Sequence, residues 1–423
     1  MMKLRSVRGV WRDFRSPLYR NAIFLMAVSP VNQIFGFLFW FVVVRVYHSA
    51  DVGLAAAAIT TLGLLAGIAT LSLDVGLVRF LPEAGDNAGA MLNSCLTISA
   101  LGGLVAAGVF MLGAPWWAPS MIFLSSSPMF AISFLAASAA MAMFIIIKAG
   151  FLARRRTHFT LWLAVVQGFK IPLPFVLAAF FGVFGIFGSW TLALLVSTTV
   201  GLFWLLPRAL PKYRPRPRVK LPIVKHLFHL SMANYLTNIV GGLAGGVIPL
   251  LILNALGPES VAHYYVASTM VALINNIPAA VMDSLFAEGS QPAANFSRDV
   301  RRAAVLIIPL VGAGILAFYF FGNILLGLFG REYSDAALRL IQLLALSTGL
   351  SVISGLYGTK LLIEKRIRWI IGFSITGTAM SLGTAIALLP LLGLTGIGVA
   401  FVATSGIMAV IVAFLWWRTS KGE

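Results

Sequence analysis

The sequence predicts an all-α polytopic membrane protein with about twelve transmembrane helices. It predicts two six-helix halves related by a pseudo-twofold axis along the membrane normal. Three observations lead there: an apolar composition broken into repeated long runs, a sorted distribution of basic residues, and a near-constant register between the two halves.

Composition comes first. Of 423 residues 60% are apolar and 10% are charged, whereas soluble domains carry roughly 25% charged residues. Apolar runs of about 20 residues recur along the whole chain, as expected of a helical protein solvated by lipid. The net charge of +18 would suggest a nucleic-acid partner in a soluble chain; here the positions of the charges matter more than their sum, and no nucleic acid is expected. Cys95 is the single cysteine, which rules out an internal disulfide and a cysteine-ligated metal. His226 and His229 share a helix face but sit among cations, so no metal and no cofactor are expected. The basic start "MMKLRSVRGVWRDFRSPLYR" precedes a run too long for a cleaved signal and reads as the lead-in to a retained first span.

The spans are expected near 22–46, 53–78, 91–112, 129–151, 160–181, 186–206, 230–253, 262–284, 303–322, 335–358, 369–390 and 396–416. All but four of the 31 Lys and Arg residues then fall on one side. Arg45, Arg331 and Arg339 fall on the other, and Lys170 inside a span. The positive-inside rule makes the cation-rich side cytoplasmic, with both termini inside.

The connections on the other side are short, and Trp116 and Trp117 in the longest of them suit an aromatic belt. The segment "PRALPKYRPRPRVKLP" reads as an extended basic tether able to lie against anionic headgroups. It divides the chain into an N-terminal bundle with its basic lead-in (1–207), a linker (208–229) and a C-terminal bundle (230–423). The halves match across it. "FLARRRTHF" from Phe151 faces "LLIEKRIRW" from Leu361; Arg208 falls on Arg418 and Gly188 on Gly398. Asp51-Val52-Gly53 faces Ser260-Val261-Ala262, and Asp74 falls on Asp283. Register sustained over several loops indicates an internal duplication, with both halves inserted the same way up.

With "GLVRFLPE" closing the second span and "SLFAEGS" closing the eighth, the sequence resembles the polysaccharide-exporter branch of the multidrug/oligosaccharidyl-lipid/polysaccharide flippase superfamily. O-antigen-type flippases of bacterial inner membranes are the members it is most similar to. Arg79, Glu83 and Glu288 are the motif residues that carry the likeness. The resemblance implies a V-shaped pair of bundles around a central cavity. It also implies a polyprenyl pyrophosphate-linked oligosaccharide as substrate, turned over from the cytoplasmic to the outer leaflet by alternating access. Glycan polymerase or glycosyltransferase machinery would be its partner.

Such a substrate needs a hydrated, cationic path for its sugar and diphosphate. Lys170, in "VVQGFKIPLPF", lies midway along the fifth span, with Gln167 three residues before it on the same face. Pro172 and Pro174 follow, so a kink is expected there. An intramembrane cation is expensive and commonly lines a cavity; alternatively Lys170 snorkels or pairs with a carboxylate. Arg45 forms an outer part of the cationic path or snorkels to headgroups. Asn32 and Gln33 after Pro30, Asn234 and Asn238 one turn apart, and Asn275 and Asn276 before Pro278 would offer amides to sugar hydroxyls. Alternatively they tie helices together, at about 0.6 kcal/mol per contact in membranes.

No phosphate-binding G-x-x-x-x-G-K-[ST] loop occurs, so an ion gradient or the membrane potential is the expected energy source. Asp74 and Asp283 are the candidate ion carriers, or simply solvated residues at helix ends. A multidrug or cation antiporter of the same superfamily is the nearest alternative; it would require carboxylates deep in a cavity. A facilitator-superfamily transporter lacks support, because only one Arg stands between spans two and three. An intramembrane glycan polymerase or acyltransferase would require an acid/base or nucleophile constellation. No such motif is visible, and no catalytic residue is assigned.

Overall fold

A backbone without water around it must close its hydrogen bonds within each segment, and every regular element among the described residues is helical. The computed structural model describes residues 17–211, 213–289, 296–364 and 366–420. The basic lead-in before Pro17 lies outside these residues. The first half contains α1 (Pro17–Val46), α2 (Ser49–Ala69), α3 (Leu73–Phe80), α4 (Ala88–Trp117), α5 (Pro128–Ala153), α6 (His158–Gln167) and α7 (Leu173–Val200). The second contains α8 (Leu221–Leu256), α9 (Pro258–Gly289), α10 (Phe296–Gly327), α11 (Arg331–Ile363), α12 (Ile367–Leu392) and α13 (Leu394–Ser420). Among the described residues twelve stretches are long and apolar enough to cross a membrane, and they fall where the sequence places the twelve spans.

Two spans differ from plain helices. The second ends at Ala69 rather than near residue 78, because Leu71 and Ser72 adopt left-handed backbone conformations, with φ of 52° and 50°. Each such residue costs about 1–2 kcal/mol. The break redirects α3, whose Leu73 and Leu77, followed by Leu81, are fully buried. Burial at about 1.5–3 kcal/mol per leucine outweighs the backbone cost. The fifth span is interrupted where the prolines predict it: a 3-10 turn, Gly168–Lys170, separates α6 from α7. Within α7, Gly182 has φ 42° and ψ −127°, a turn that divides the fifth span from the sixth. The sixth then runs through a π-helical turn, Gly201–Leu205, and ends at Ala209.

Part of the segment expected as linker, 208–229, is helical. Residues 213–220 lack regular structure, and α8 begins at Leu221 and runs for 36 residues. The chain groups into two compact units whose bounds differ from the division at the tether. The first comprises Met1–Val42, Leu65–Ala114 and Ile122–Tyr235; the second comprises Val43–Leu64, Pro115–Met121 and Leu236–Glu423. The start of α8 thus belongs to the first unit because Val224 and Leu227 join its core, beside Leu77, Leu92, Phe144, Ile147 and Leu163. Gly76 makes the approach possible: a β-carbon there would lie 3.0 Å from Ser231 Oγ.

In the second unit α11 packs against α9, α10 and α13. Gly53 of α2 meets the start of α9 so closely that a β-carbon would lie 1.7 Å from the Pro258 carbonyl oxygen. The outward side of α10 is apolar, with Val305, Ile308 and Phe320 each more than 60% exposed. A surface of this kind suits lipid rather than water.

Candidate substrate-binding site

The interruption of the fifth span is built by its sequence. Pro172 and Pro174 lack amide protons, so the Lys170 carbonyl loses its helical donor at residue 174. The chain tightens instead, with the Ile171 N–H donating to the Gly168 carbonyl at 3.0 Å. Gly168 allows close approach to α1, since a β-carbon would come within 3.1 Å of the Phe35 ring. One turn further along α1, Phe39 is fully buried, and the Lys170 ammonium stands 5.6 Å from its ring centroid. Among the described residues no carboxylate lies within ion-pair reach of Lys170. The alternative of a lysine neutralised by an acidic neighbour therefore finds no partner there.

Asn32 shares the α1 face that carries Phe35 and Phe39, at spacings of three and seven residues. It is exposed, and Gln33 and Gln167 are half-buried. At the other end of α6 a cavity of about 670 Å³ is lined by Phe24, Arg156, His158, Leu161, Trp162 and Val165. His158 and Lys170 are twelve residues apart, about 18 Å at helical rise. One segment of the first unit thus carries cationic or aromatic groups from its Arg-rich end to its interruption.

Lys170 is not the one lysine within a span. Lys148, which the sequence groups with loop cations, lies inside α5, half-buried, with its ammonium 5.0 Å from the Phe144 ring centroid. Its position three residues inside the expected fourth span was the signal for it. Lys148 acts on Asp74, which stands in the first turn of α3, between the second and third spans. Burial raises the Asp74 carboxyl above its usual range, while backbone N–H donors and the charge of Lys148 pull it down; burial dominates. The side chains of Asp283 and Glu288 lie outside the described residues. Arg79 and Glu83 are exposed, and the Arg79 guanidinium covers the Phe80 ring at 5.3 Å. Phe80 in turn meets His226 edge-on.

Arg45 donates to the Leu328 carbonyl at 3.0 Å and is exposed. Asn234 and Asn238 are exposed on α8, the first in one unit and the second in the other. Asn276 donates back to the Ala272 carbonyl of its own helix. Asn275 has a different setting: it lines a cavity of about 420 Å³ in the second unit, among hydroxyls from α9, α11, α12 and α13. Ser347 and Thr348 donate to the Leu344 carbonyl, Ser351 to that of Thr348, and Thr378 to that of Val240. Their protons are engaged by backbone, so the lone pairs that remain make the cavity rich in acceptors. Ser381 Oγ is buried with no hydrogen-bond partner among the described residues. Among the described residues no charged side chain lines this cavity. Sequence reasoning missed these hydroxyls because each is an ordinary helical Ser or Thr, and only packing gathers them.

The sequence profile of the family described as "Polysaccharide biosynthesis protein" matches residues 42–338, more than two thirds of the chain. The chain belongs to this polysaccharide biosynthesis protein family. No curated protein matches it. Among solved structures, this family member is similar to the lipid II flippase MurJ in an inward closed conformation, at 12% identity and a TM-score of 0.75. The match covers 93% of this chain and 87% of that one. It is also similar to an inward-facing multidrug resistance MATE family transporter of the MOP superfamily. There the identity is 15% and the TM-score 0.66, with 92% and 94% of the two chains covered. A third match is a MOP superfamily transporter from Pyrococcus furiosus Vc1, at 16% identity and a TM-score of 0.61, covering 96% and 95%. The family member therefore shares the all-helical fold of these structures, and the expected fold class holds.

Proposed function

We propose that this protein is a flippase of the O-antigen type in a bacterial inner membrane. It moves a polyprenyl pyrophosphate-linked oligosaccharide from the cytoplasmic to the outer leaflet by alternating access, for surface polysaccharide synthesis. The observation that carries the reading is Lys170: a cation within a span, at a helix interruption, with no carboxylate beside it among the described residues. A diphosphate is the complementary charge. Family membership supports the polysaccharide setting, and the fold is shared with a structure titled as a lipid II flippase.

The amide-bearing and hydroxyl-lined surfaces suit the sugar part, which both donates and accepts hydrogen bonds. Asn32, Gln33 and Gln167 serve in the first unit, and Asn238, Asn275 and Asn276 in the second; Asn234 and Arg45 extend the path. Asp74, with Asp283 as its counterpart, is the candidate ion carrier. An antiporter for cationic drugs would require acidic groups in its cavity, and among the described residues the second-unit cavity has none. Glycosyltransferase or polymerase machinery would supply or receive the glycan.

The test is reconstitution into vesicles with a labelled lipid-linked oligosaccharide, reading which leaflet the label occupies. Protein-dependent movement of an unaltered molecule is expected. A chemically altered product would point to an enzyme, and movement of cationic drugs alone to an antiporter.

A further inference from the structure

The segment 213–220 is a strap fixed along α4. The Tyr213 hydroxyl donates to Asn93 Oδ1 at 2.7 Å, and Asn93 Nδ2 donates to the Arg214 carbonyl at 3.0 Å. The Arg216 N–H reaches Asn93 Oδ1 at 3.4 Å, the Arg218 N–H reaches Thr97 Oγ1 at 3.3 Å, and the Lys220 N–H reaches Ser94 Oγ at 2.9 Å. Lys220 Nζ adds a contact to Asn87 Oδ1 at 3.2 Å. Every second residue is thus anchored through its backbone, which leaves the side chains of Arg214, Arg216 and Arg218 exposed in fixed register.

Beneath the strap, within the first unit, is a groove of about 340 Å³. Its walls are mainly apolar, with Leu96, Ala100 and Leu101 of α4, Met143 of α5, and Leu202 and Phe203 of the π-helical turn; Asn93 and Thr97, which hold the strap, also line it. Pro215, Arg216 and Pro217 border it. A π turn shifts side chains out of helical register and is often found at functional sites. Leu101 and Phe203 are both more than half exposed, so the groove opens outward.

We propose that this groove holds one acyl chain of an anionic phospholipid, with the lipid phosphate on Arg216 and its neighbours Arg214 and Arg218. The apolar part of the walls matches a hydrocarbon chain, and the polar groups lie at the strap side, where the headgroup would sit. The three guanidiniums match a phosphate bearing net negative charge, which planar N–H forks bind in pairs. On the orientation predicted by the cation distribution, the strap lies at the inner leaflet, where anionic lipids reside. Unlike a flexible polybasic tail, the backbone anchors hold these arginines at the groove, so chain and headgroup are recognised together.

The experiment uses the full chain in detergent, with bound lipid measured by native mass spectrometry. The probes are long-chain phosphatidylglycerol, phosphatidylcholine of the same chains, dihexanoyl phosphatidylglycerol, inorganic phosphate and polyprenyl phosphate. Long-chain phosphatidylglycerol is expected to be retained at least about tenfold better than the others, a difference that net charge at an arginine cluster supports. Replacing Arg214, Arg216 and Arg218 together by Gln should bring it down to the phosphatidylcholine level. These side chains are exposed, so folding should survive, with size-exclusion behaviour as the check. Ala100→Trp, which fills the groove while leaving the arginines, should lower retention of the long-chain lipid alone. Equal retention of phosphatidylcholine, competition by inorganic phosphate alone, stronger retention of polyprenyl phosphate, or no effect of both variants would overturn the proposal. None of these outcomes bears on Lys170 or on transport.

Discussion

The ammonium of Lys170 stands 5.6 Å from the ring centroid of Phe39, a residue with no exposed surface. The aromatic face stabilises the cation without neutralising it, so the charge stays available to an anion. Lys170→Ala should abolish glycan export, and Lys170→Arg should keep part of it. Phe39→Leu retains an apolar wall but removes the ring; at about 0.5–1 kcal/mol for the contact, export should fall about two- to fivefold. Export per inserted molecule is the quantity to measure, and normal export by the alanine variant would remove Lys170 from the path.

A β-carbon at Gly53 would overlap the Pro258 carbonyl oxygen, whereas Gly63 on the same helix has open space around its Cα. Gly53→Ala should lose about 1–3 kcal/mol through overpacking. Gly63→Ala should be neutral or stabilise by about 0.5–1 kcal/mol. Thermal unfolding of the two variants in one detergent gives the comparison.

Asp74 yields a pH signature. Its carboxyl is held above the usual range chiefly by burial. The fold therefore favours the protonated form, and its contribution to stability, present in acid, is lost as pH rises through the folded value. Asp74→Asn cannot ionise. Its melting temperature should match the wild type near pH 4 and exceed it increasingly toward pH 8. Lys148→Met removes the opposing charge and should steepen the wild-type decline. If Asp74 also carries a coupling ion, Asp74→Asn will slow transport at unchanged membrane abundance; an unchanged rate would confine the residue to this structural part.

Asn93 serves Tyr213, Arg214 and Arg216 at once. Asn93→Ala leaves the buried Tyr213 hydroxyl without its acceptor, at about 1–3 kcal/mol for an orphaned group. The strap should loosen, and trypsin should cut between Arg214 and Lys220 faster than in the wild type. Equal cleavage rates would show that the strap is held by other means.

Periodicity and charge made much of this architecture legible. Spans follow from apolar length, and the interruption at Gly168–Lys170 follows from Pro172 and Pro174, whose missing amide protons can be read directly. The break at Leu71 and Ser72 was not legible, because neither residue is a glycine or proline. Its cause is the burial of Leu73, Leu77 and Leu81, a tertiary effect. The same holds for residues 221–229, basic enough to read as tether yet helical because Val224 and Leu227 find a core. At the site, Lys170 stood out through its charge, whereas the hydroxyl cavity around Asn275 depends on four helices meeting and leaves no mark on any one of them.

The allegiance of the first turns of α8 matters for anyone dividing this chain into fragments. The register between the halves invites a cut in the Pro/Arg segment, giving two six-helix pieces. Such a cut would strip the first piece of Val224 and Leu227 and leave the second with an apolar stub made for another core. Fragment complementation or domain exchange should instead keep Val224 and Leu227 with the N-terminal piece. The seam that the register between the halves suggests and the edge of the first unit's core are different places in this molecule.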